Sequence, residues 1–218
     1  MSLATPADWV AQRFTRHYDD WRARRVAAIR GHYGDAFFKG RTLLELGCGY
    51  GDLGAAFQAL GADVCCADAR EEHLEVVRAR HPGLRTVRAD LNTEWPFGPV
   101  DVIFHLGLLY HLEPTHESLR RACRSAPVVV VETEVCDSAS PDAVIPADEQ
   151  GYDQAIDGRG CRPSAARVER VLSEEGFTWT RVADGRCNSG IHVYDWAETG
   201  SGRVAQGLRR FWFTERAA

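Results

Sequence analysis

The sequence predicts an α/β protein built on a doubly wound, mostly parallel, seven-stranded sheet with helices on both faces. The first observation behind this prediction is the alternation of short apolar segments with helix-like segments from Arg41 onward. The second is that these apolar segments are hydrophobic throughout, which is typical of parallel strands buried on both faces. The length of 218 residues suits a single domain.

Residues 1–40 are expected to form an N-terminal helical cap. Thr5-Pro6-Ala7-Asp8 has the features of a helix start, because Thr5 can cap the helix and Pro6 suits its first turn. Apolar residues then recur at near-helical spacing, at Trp9, Phe14, Trp21 and Ala28. We expect an amphipathic helix that ends near Gly31 or Gly34 and packs on the core. The alternative is a cover over a substrate pocket.

The core is expected to span residues 41–196, with strands and helices in alternation. Its predicted strands are Thr42–Leu46, Val64–Ala67, Leu84–Ala89, Val100–Leu106 and Val128–Val131. Its predicted helices are Asp52–Leu60, Glu71–Arg80 and Pro163–Gly176. Two last strands, Phe177–Val182 and Ile191–Trp196, are expected to close the parallel sheet with an antiparallel pair.

Two segments depart from this core pattern. Residues 134–160 are rich in Asp, Ser, Pro and Gly, and predict a variable loop or short insert beside the site. Residues 197–218 form a C-terminal tail in which arginines are interleaved with Phe211, Trp212 and Phe213. We expect these aromatic residues to anchor a terminal helix on the core, with the arginines in solvent. The alternative is an arginine–aromatic surface that stacks on bases or sugars.

The composition argues against several classes of protein. The net charge of −5 disfavours non-specific nucleic-acid binding, which depends on neutralising phosphates. No apolar run approaches the roughly 20 residues that cross a bilayer, and Met1–Pro6 lacks the pattern of a signal peptide. We therefore expect a cytoplasmic protein with no membrane partner. The seven cysteines include no Cys-x-x-Cys pair, which favours buried, reduced thiols over disulfides or zinc ligation.

The most specific motif is Leu44-Glu45-Leu46-Gly47-Cys48-Gly49-Tyr50-Gly51, at the end of the first predicted strand. Its glycines let the backbone turn tightly and let a ligand approach closely, so a nucleotide cofactor is the natural ligand. Residues 49–54 also satisfy the dinucleotide fingerprint. Against a dinucleotide, Glu45 before the loop and Asp52 at the helix start would repel a pyrophosphate. Glu45 suits a cationic amino-acid ligand instead.

The run Glu45–Gly51 resembles motif I of the class I S-adenosylmethionine-dependent methyltransferases, and the order of elements in residues 41–196 is similar to their Rossmann-like fold. The resemblance implies that S-adenosylmethionine binds as the methyl donor and leaves as S-adenosylhomocysteine (SAH). It further implies that Asp68 holds the ribose hydroxyls and Asp90 the adenine amino group, roles that suit carboxylates. The donor contacts implied in these segments are Glu45, Gly47, Cys48, Gly49, Gly51, Asp68, Ala69, Asp90 and Leu91.

The segment Asp101–Leu112 resembles a fourth motif of the same family, which makes His105 and Leu106 further donor contacts. Tyr110 and His111 are the candidate catalytic residues, either to orient the acceptor or to act as a general base. A neutral histidine can take up a proton near pH 7. The alternative for His111 is a helix-capping or buried structural imidazole. The histidines of this region match no metal-binding motif, and no metal site is predicted.

Two further places carry polar residues whose roles the sequence leaves open. Glu132-Thr133-Glu134 follows the fifth predicted strand, at the edge where open α/β sheets bind ligands. A carboxylate there can receive a proton, bind a cationic acceptor or cap a loop. Arg162 is expected to be a solvated residue at a helix start, and the alternative is a clamp for an anionic acceptor.

The sequence therefore predicts an enzyme that methylates a hydroxyl, amine or carboxylate of a small molecule, such as a metabolite or natural product. The alternative acceptor is RNA, because Gly107–His111 resembles enzymes that alkylate the wobble uridine of tRNA. A third hypothesis is a non-catalytic module that binds the donor as a structural ligand.

Overall fold

The structure, a computed structural model, describes residues 18–151, 154–204 and 207–217. The predicted helix start at Thr5–Asp8 and the apolar positions Trp9 and Phe14 lie outside the described residues.

The strands of the described residues form one large sheet and one hairpin. Their bounds are β1 Thr42–Leu46, β2 Asp63–Asp68, β3 Arg85–Arg88, β4 Val102–Leu106, β5 Val128–Glu134, β6 Val144–Asp148, β7 Arg159–Pro163, β8 Phe177–Val182 and β9 Arg209–Arg216. The large sheet has seven strands in the order β3-β2-β1-β4-β5-β9-β8. Strands β1 to β5 pair in parallel, and β9 runs antiparallel to both β5 and β8. The predicted fold class is confirmed.

Helices cover both faces of this sheet. Their bounds are α1 Asp19–Tyr33, α2 Asp52–Gln58, α3 Glu71–Arg80, α4 Glu117–Ser125 and α5 Ala165–Glu174. Leu43 and Phe104 pack with residues of α1, α2 and α3 on one face, whereas Leu44 and Ile103 pack with α4 and α5 on the other. Neighbouring residues of a strand point to opposite faces, and both faces here are buried. This is why the strands are apolar throughout.

Helix α1 brings the N-terminal region onto the sheet. It ends at Gly34, one of the two predicted stops, where a φ of 77° breaks the helix and the N–H still donates to the carbonyl of Arg30. Trp21, Arg25 and Ile29 are its buried residues. They recur every four positions, so they lie along one side of the helix. An arginine therefore occupies the buried side of an otherwise apolar row.

The C-terminal tail is the main correction to the predicted fold. Arg209–Arg216 forms the inner strand β9 rather than a terminal helix. The predicted last strand, Ile191–Trp196, contributes only isolated bridges at His192 and Val193. The prediction failed because Arg209 and Arg210 were taken as solvent-exposed. Both are buried, and each makes an ion pair with a glutamate.

The segment 134–160 is more ordered than a loop. Strand β5 continues to Glu134, three residues beyond its predicted end. Strands β6 and β7 then pair as an antiparallel hairpin. Helix α5 begins after Ser164, whose side chain accepts a hydrogen bond from the N–H of Arg167 at 3.0 Å and so caps the helix.

All seven cysteines are buried and free, in agreement with the expectation of buried thiols. None of the helices in the described part of the chain has the length and apolar character that crossing a membrane requires. Within the same residues, histidine, cysteine and acidic side chains do not form a group of three that could hold a metal ion.

Candidate active site

A pocket lies at the carboxyl ends of β1, β2 and β4, the edge where open α/β sheets bind ligands. It has an empty volume of about 1180 Å³, including space open to solvent. Its wall comes from α1, the glycine loop, the segments after β2, β3 and β4, and residues 154–156.

The glycine loop between β1 and α2 forms one wall of this pocket. Gly47, Cys48 and Gly49 line it as predicted. Gly47 has a φ of 63°, a left-handed conformation that residues with a Cβ rarely adopt. A Cβ there would also lie 2.8 Å from Cδ1 of Leu108. The loop therefore needs glycine at this position both for its turn and for its packing.

Gly51 belongs to the same motif but not to the pocket wall. A Cβ on Gly51 would lie 3.0 Å from the side chain of Val77 in α3, so its free side faces the core. We correct its predicted role from donor contact to packing and turn formation, since its φ is 75°. Tyr50 and Asp52, on either side of it, do line the pocket.

Glu45 stands at the end of β1 and lines the pocket. Its Oε2 accepts hydrogen bonds from the N–H of Gly54 at 2.8 Å and from Sγ of Cys66 at 3.5 Å. Both bonds use one oxygen, so they leave Oε1 unengaged. Burial raises the pKa of Glu45 to about 7, although these hydrogen bonds and the charge of Arg25 act in the opposite direction. A bound cation beside Oε1 would favour the ionised carboxylate.

Asp68 ends β2 at the opposite side of the glycine loop. Its Oδ2 accepts a hydrogen bond from the N–H of Gly49 at 2.9 Å, and its Oδ1 accepts one from the N–H of Arg70 at 2.9 Å. Nδ1 of His73 lies 3.2 Å from the same Oδ1. A carboxylate has about four lone-pair sites, so Asp68 holds the loop and still has capacity for a ligand.

The segment after β3 completes this half of the pocket with Ala89, Asp90 and Leu91. Oδ1 of Asp90 accepts a hydrogen bond from the N–H of Asn92 at 3.0 Å, which forms a tight turn and fixes the carboxylate. Ala69, after β2, lines the pocket as well.

The end of β4 supplies Leu106 but not His105. Adjacent strand residues face opposite sides of the sheet, and the side of His105 is covered by α4. There Nε2 of His105 lies 3.1 Å from Oγ of Ser118, and the imidazole is fully buried. Burial lowers its pKa to about 4. The prediction that His105 contacts the donor is therefore wrong, because the strand turns the side chain away.

Tyr110 lies in a short 3₁₀ turn, Leu109–His111, that follows β4. Its hydroxyl oxygen accepts a hydrogen bond from Nη2 of Arg209 at 2.9 Å. Burial raises the pKa of Tyr110 to about 12. A neutral phenol held by a guanidinium does not act as a base near pH 7, so the structure leaves Tyr110 only the role of a wall residue that orients neighbours.

His111 lines the pocket and is the candidate base that the structure retains. Its Nδ1 is hydrogen-bonded to Oε2 of Glu149, the residue that follows β6. The ring lies in the wall of the pocket and also contacts a buried carboxylate, so the general-base role of His111 stays a prediction beside the structural one. The partner itself was missed, because nothing in the segment 134–160 distinguishes one acidic residue from another.

Behind these two residues is a row of buried charges. Nη1 of Arg162 lies 2.7 Å from Oε1 of Glu149, and its Nε lies 2.5 Å from Oε2 of Glu134. Arg209 lies between two glutamates of β5. Its Nη2 is 3.4 Å from Oε1 of Glu134, and its Nη1 is 2.8 Å from Oε1 of Glu132. Arg162 is therefore neither a solvated helix-start residue nor a free clamp for an anion. The acidic end of β5 binds arginines of the chain itself.

Helix α1 contributes two arginines that sequence reasoning missed, Arg22 and Arg25. Arg25 is only 8% exposed, and its Cζ lies 3.7 Å from the ring centroid of Trp21. Among the described residues, its Nε has no hydrogen-bond partner, and its ion pair with Glu132 is 3.7 Å long. A buried guanidinium without a close partner is costly. The sequence carries one sign that Arg25 is buried: it lies four residues from both Trp21 and Ile29, on the same side of α1.

Comparison with known proteins agrees with this geometry. Residues 43–127 match the family model described as a methyltransferase domain. A search of curated protein sequences finds no match.

Several solved structures share the fold. The N-terminal domain of EvdMO1, crystallised in the presence of SAH and D-fucose, has a TM-score of 0.68 and 18% identity, over 92% of this chain and 84% of that one. A methyltransferase from Mesorhizobium loti has a TM-score of 0.62 and 17% identity, over 88% of this chain and 98% of that one. The 1,6-didemethyltoxoflavin-N1-methyltransferase of Burkholderia thailandensis has a TM-score of 0.56 and 18% identity, over 99% of this chain and 92% of that one.

The order of the strands and the glycine loop at the pocket are the features that the sequence motif led us to expect. Residues 43–127 therefore carry a methyltransferase domain, and the solved structures share the Rossmann-like fold of this chain.

Proposed function

We propose that this methyltransferase acts on a hydroxyl, amine or carboxylate of a small molecule, such as a metabolite or natural product. The observation that supports this proposal is that a single pocket is lined both by the predicted donor residues and by His111. Methyl transfer requires the acceptor atom to lie in line with the methyl group. Donor and acceptor must therefore meet in one cavity.

The donor half of the pocket fits each part of S-adenosylmethionine. Asp68 suits the ribose hydroxyls and Asp90 the adenine amino group, because carboxylates are strong acceptors. Glu45 suits the ammonium group of the methionine part. Arg25 suits its carboxylate, because it brings a guanidinium to the pocket wall. When bound, the donor supplies a methyl group activated by a sulfonium.

The position of Arg25 supports this role. Its Nη1 lies 3.6 Å from the point that a Cβ on Gly107 would occupy, immediately after β4. Its charge also acts on Glu45. Arg25 and Glu45 thus form a pair of opposite charges at one end of the pocket, which is the arrangement that a zwitterionic amino acid requires.

The remaining wall is suited to a small acceptor with apolar surface. Trp21, Leu108, Leu112 and Ile156 provide apolar contacts, and His111 is placed among them. Two proteins of the same fold were crystallised with small molecules, D-fucose and 1,6-didemethyltoxoflavin. The apolar wall around His111 is the observation that supports a small acceptor.

The arginine–aromatic surface considered for the C-terminal tail does not support an RNA acceptor. Arg209 and Arg210 are buried in ion pairs, and Phe211, Trp212 and Phe213 are buried in the core. These residues therefore do not form a surface on which bases could stack.

The proposal can be tested by titration calorimetry followed by an acceptor screen. We expect S-adenosylmethionine and SAH to bind and NADH not to bind. SAH release is then measured with alcohols, amines and carboxylic acids of metabolite size, and with bulk tRNA. Turnover with tRNA alone would reject the small-molecule proposal, and binding of NADH alone would reject the assignment of the donor pocket.

A further inference from the structure

The contact between His111 and Glu149 has the geometry of a base held by a carboxylate. Glu149 is fully buried, and Oε2 accepts the hydrogen bond at Nδ1 of His111. A carboxylate at Nδ1 requires that nitrogen to carry the proton. The lone pair then lies on Nε2, which has no hydrogen-bond partner among the described residues and can receive a proton from a substrate.

The carboxylate is itself held in place. Arg162 pairs with two carboxylates, through Nη1 with Glu149 at 2.7 Å and through Nε with Glu134 at 2.5 Å. Its Cζ lies 4.8 Å from the ring centroid of Tyr110. Burial acts to raise the pKa of Glu149, but the hydrogen bond from His111 and the nearby charge of Arg162 bring it below its usual value. Glu149 is therefore ionised and fixed by groups on β5 and β7.

We propose that His111 and Glu149 act as a general-base pair, and that the acceptor is consequently a neutral hydroxyl. This inference rests on the proposed function. Glu149 is a positioning residue in it, because it acts through the imidazole. A carboxylate acceptor is already ionised near pH 7 and gains nothing from a base. An amine attacks through the lone pair of its neutral form and needs no base in the methyl-transfer step itself.

The proton balance follows from this arrangement. Nε2 of His111 takes the hydroxyl proton, and the oxygen lone pair forms the new C–O bond as the C–S bond breaks with both electrons left on sulfur. The products are a methyl ether, SAH and an imidazolium. The charge of Glu149 stabilises that imidazolium, which then releases its proton to solvent.

The test compares His111→Gln and Glu149→Gln with Glu113→Gln, a matched control. Glu113 is half-exposed in the same region and lies 3.9 Å from Arg159 rather than near His111. The acceptor is taken from the alcohol, amine and acid panel. We expect an ether product, and a kcat about 100-fold lower in His111→Gln. In Glu149→Gln we expect kcat to fall at least about 10-fold and Glu149→Asp to recover part of it. Donor affinity by calorimetry should stay within about 2-fold in all variants.

The pH profile of kcat and the histidine tautomer supply readouts that a structural role would not change. The groups facing His111 are Glu149 and Tyr110, with Arg162 behind Glu149. We expect the wild-type kcat to rise with pH as the base loses its proton, and His111→Gln to lose that dependence. Nitrogen-15 spectra should show Nδ1–H in the wild type and loss of that preference in Glu149→Gln.

Three results would overturn the proposal: an N-methyl or ester product, a His111→Gln variant with wild-type kcat, or an Nε2–H tautomer in the wild type. The tautomer is measured without any acceptor. A failure of the proposed function, meaning no turnover with small molecules, is therefore distinguishable from a failure of the base pair.

Discussion

Replacement of Asp68 by asparagine tests the donor half of the pocket most directly. The carboxylate of Asp68 accepts two backbone hydrogen bonds, from Gly49 and from Arg70, on different oxygens. Asparagine has the same shape but only one oxygen. The amide nitrogen of asparagine cannot accept a hydrogen bond from an N–H group. Either one of the two backbone hydrogen bonds is lost, or the side chain keeps them and loses a contact to the ribose.

The expected size of the effect follows from these contacts. A hydrogen bond to a charged group contributes about 1.5–3 kcal/mol, which corresponds to a roughly 10- to 150-fold weaker Kd for S-adenosylmethionine. The control is Asp63→Asn, at the start of the same strand, where the carboxylate is exposed and paired with Arg85 at 3.3 Å. We expect the control to leave donor affinity within about 2-fold.

Calorimetry with S-adenosylmethionine and SAH measures the affinity, and urea unfolding without donor measures the stability of each variant. Both measurements are needed because Asp68 also anchors the glycine loop. A folded Asp68→Asn variant with wild-type donor affinity would refute the reasoning. Equal weakening in Asp63→Asn would do the same, since the effect would then not depend on the pocket.

Three further predictions concern buried charges. Arg25→Ala should weaken donor binding about 10-fold or more by calorimetry, whereas Arg24→Ala, exposed on the same helix, should not; equal affinities would remove Arg25 from the donor site. Burial lowers the pKa of His105 to about 4 and of His116 to about 3, below the unfolded value of about 6.5. The unfolded chain therefore binds more protons below that pH, and the free energy of unfolding should fall by about 1.4 kcal/mol per pH unit per histidine between pH 6 and 4.5. Urea titrations of the wild type and His116→Asn should show a shallower fall in the variant, and identical slopes would contradict this. Arg209→Met should cost about 3–5 kcal/mol in urea unfolding because it leaves buried carboxylates uncompensated; a loss below about 1 kcal/mol would show that the ion pairs contribute little.

The donor half of the site was predictable because its residues lie in short contiguous motifs. Gly47 and Asp90 follow strands and Asp68 ends one, and parallel strands bring their carboxyl ends to one edge. His105 was misassigned because a sequence motif gives only the position of a residue along the chain. The alternation of side chains along the strand decides which face of the sheet His105 points to. Gly51 belongs to the motif for its packing and turn rather than for ligand contact.

By itself, the sequence determined the fold class, the pocket edge and the donor, since local apolar runs and a glycine loop carry that information. Only the tertiary structure decided the acceptor side. Glu149, Arg162, Glu134 and Arg25 come from four distant segments, and no spacing relates them. The same holds for β9, where Arg209 pairs with Glu132 of the neighbouring strand and Arg210 pairs with Glu198 outside the sheet. Burial of a charge depends on a partner supplied by another part of the chain, and a local pattern cannot show that partner.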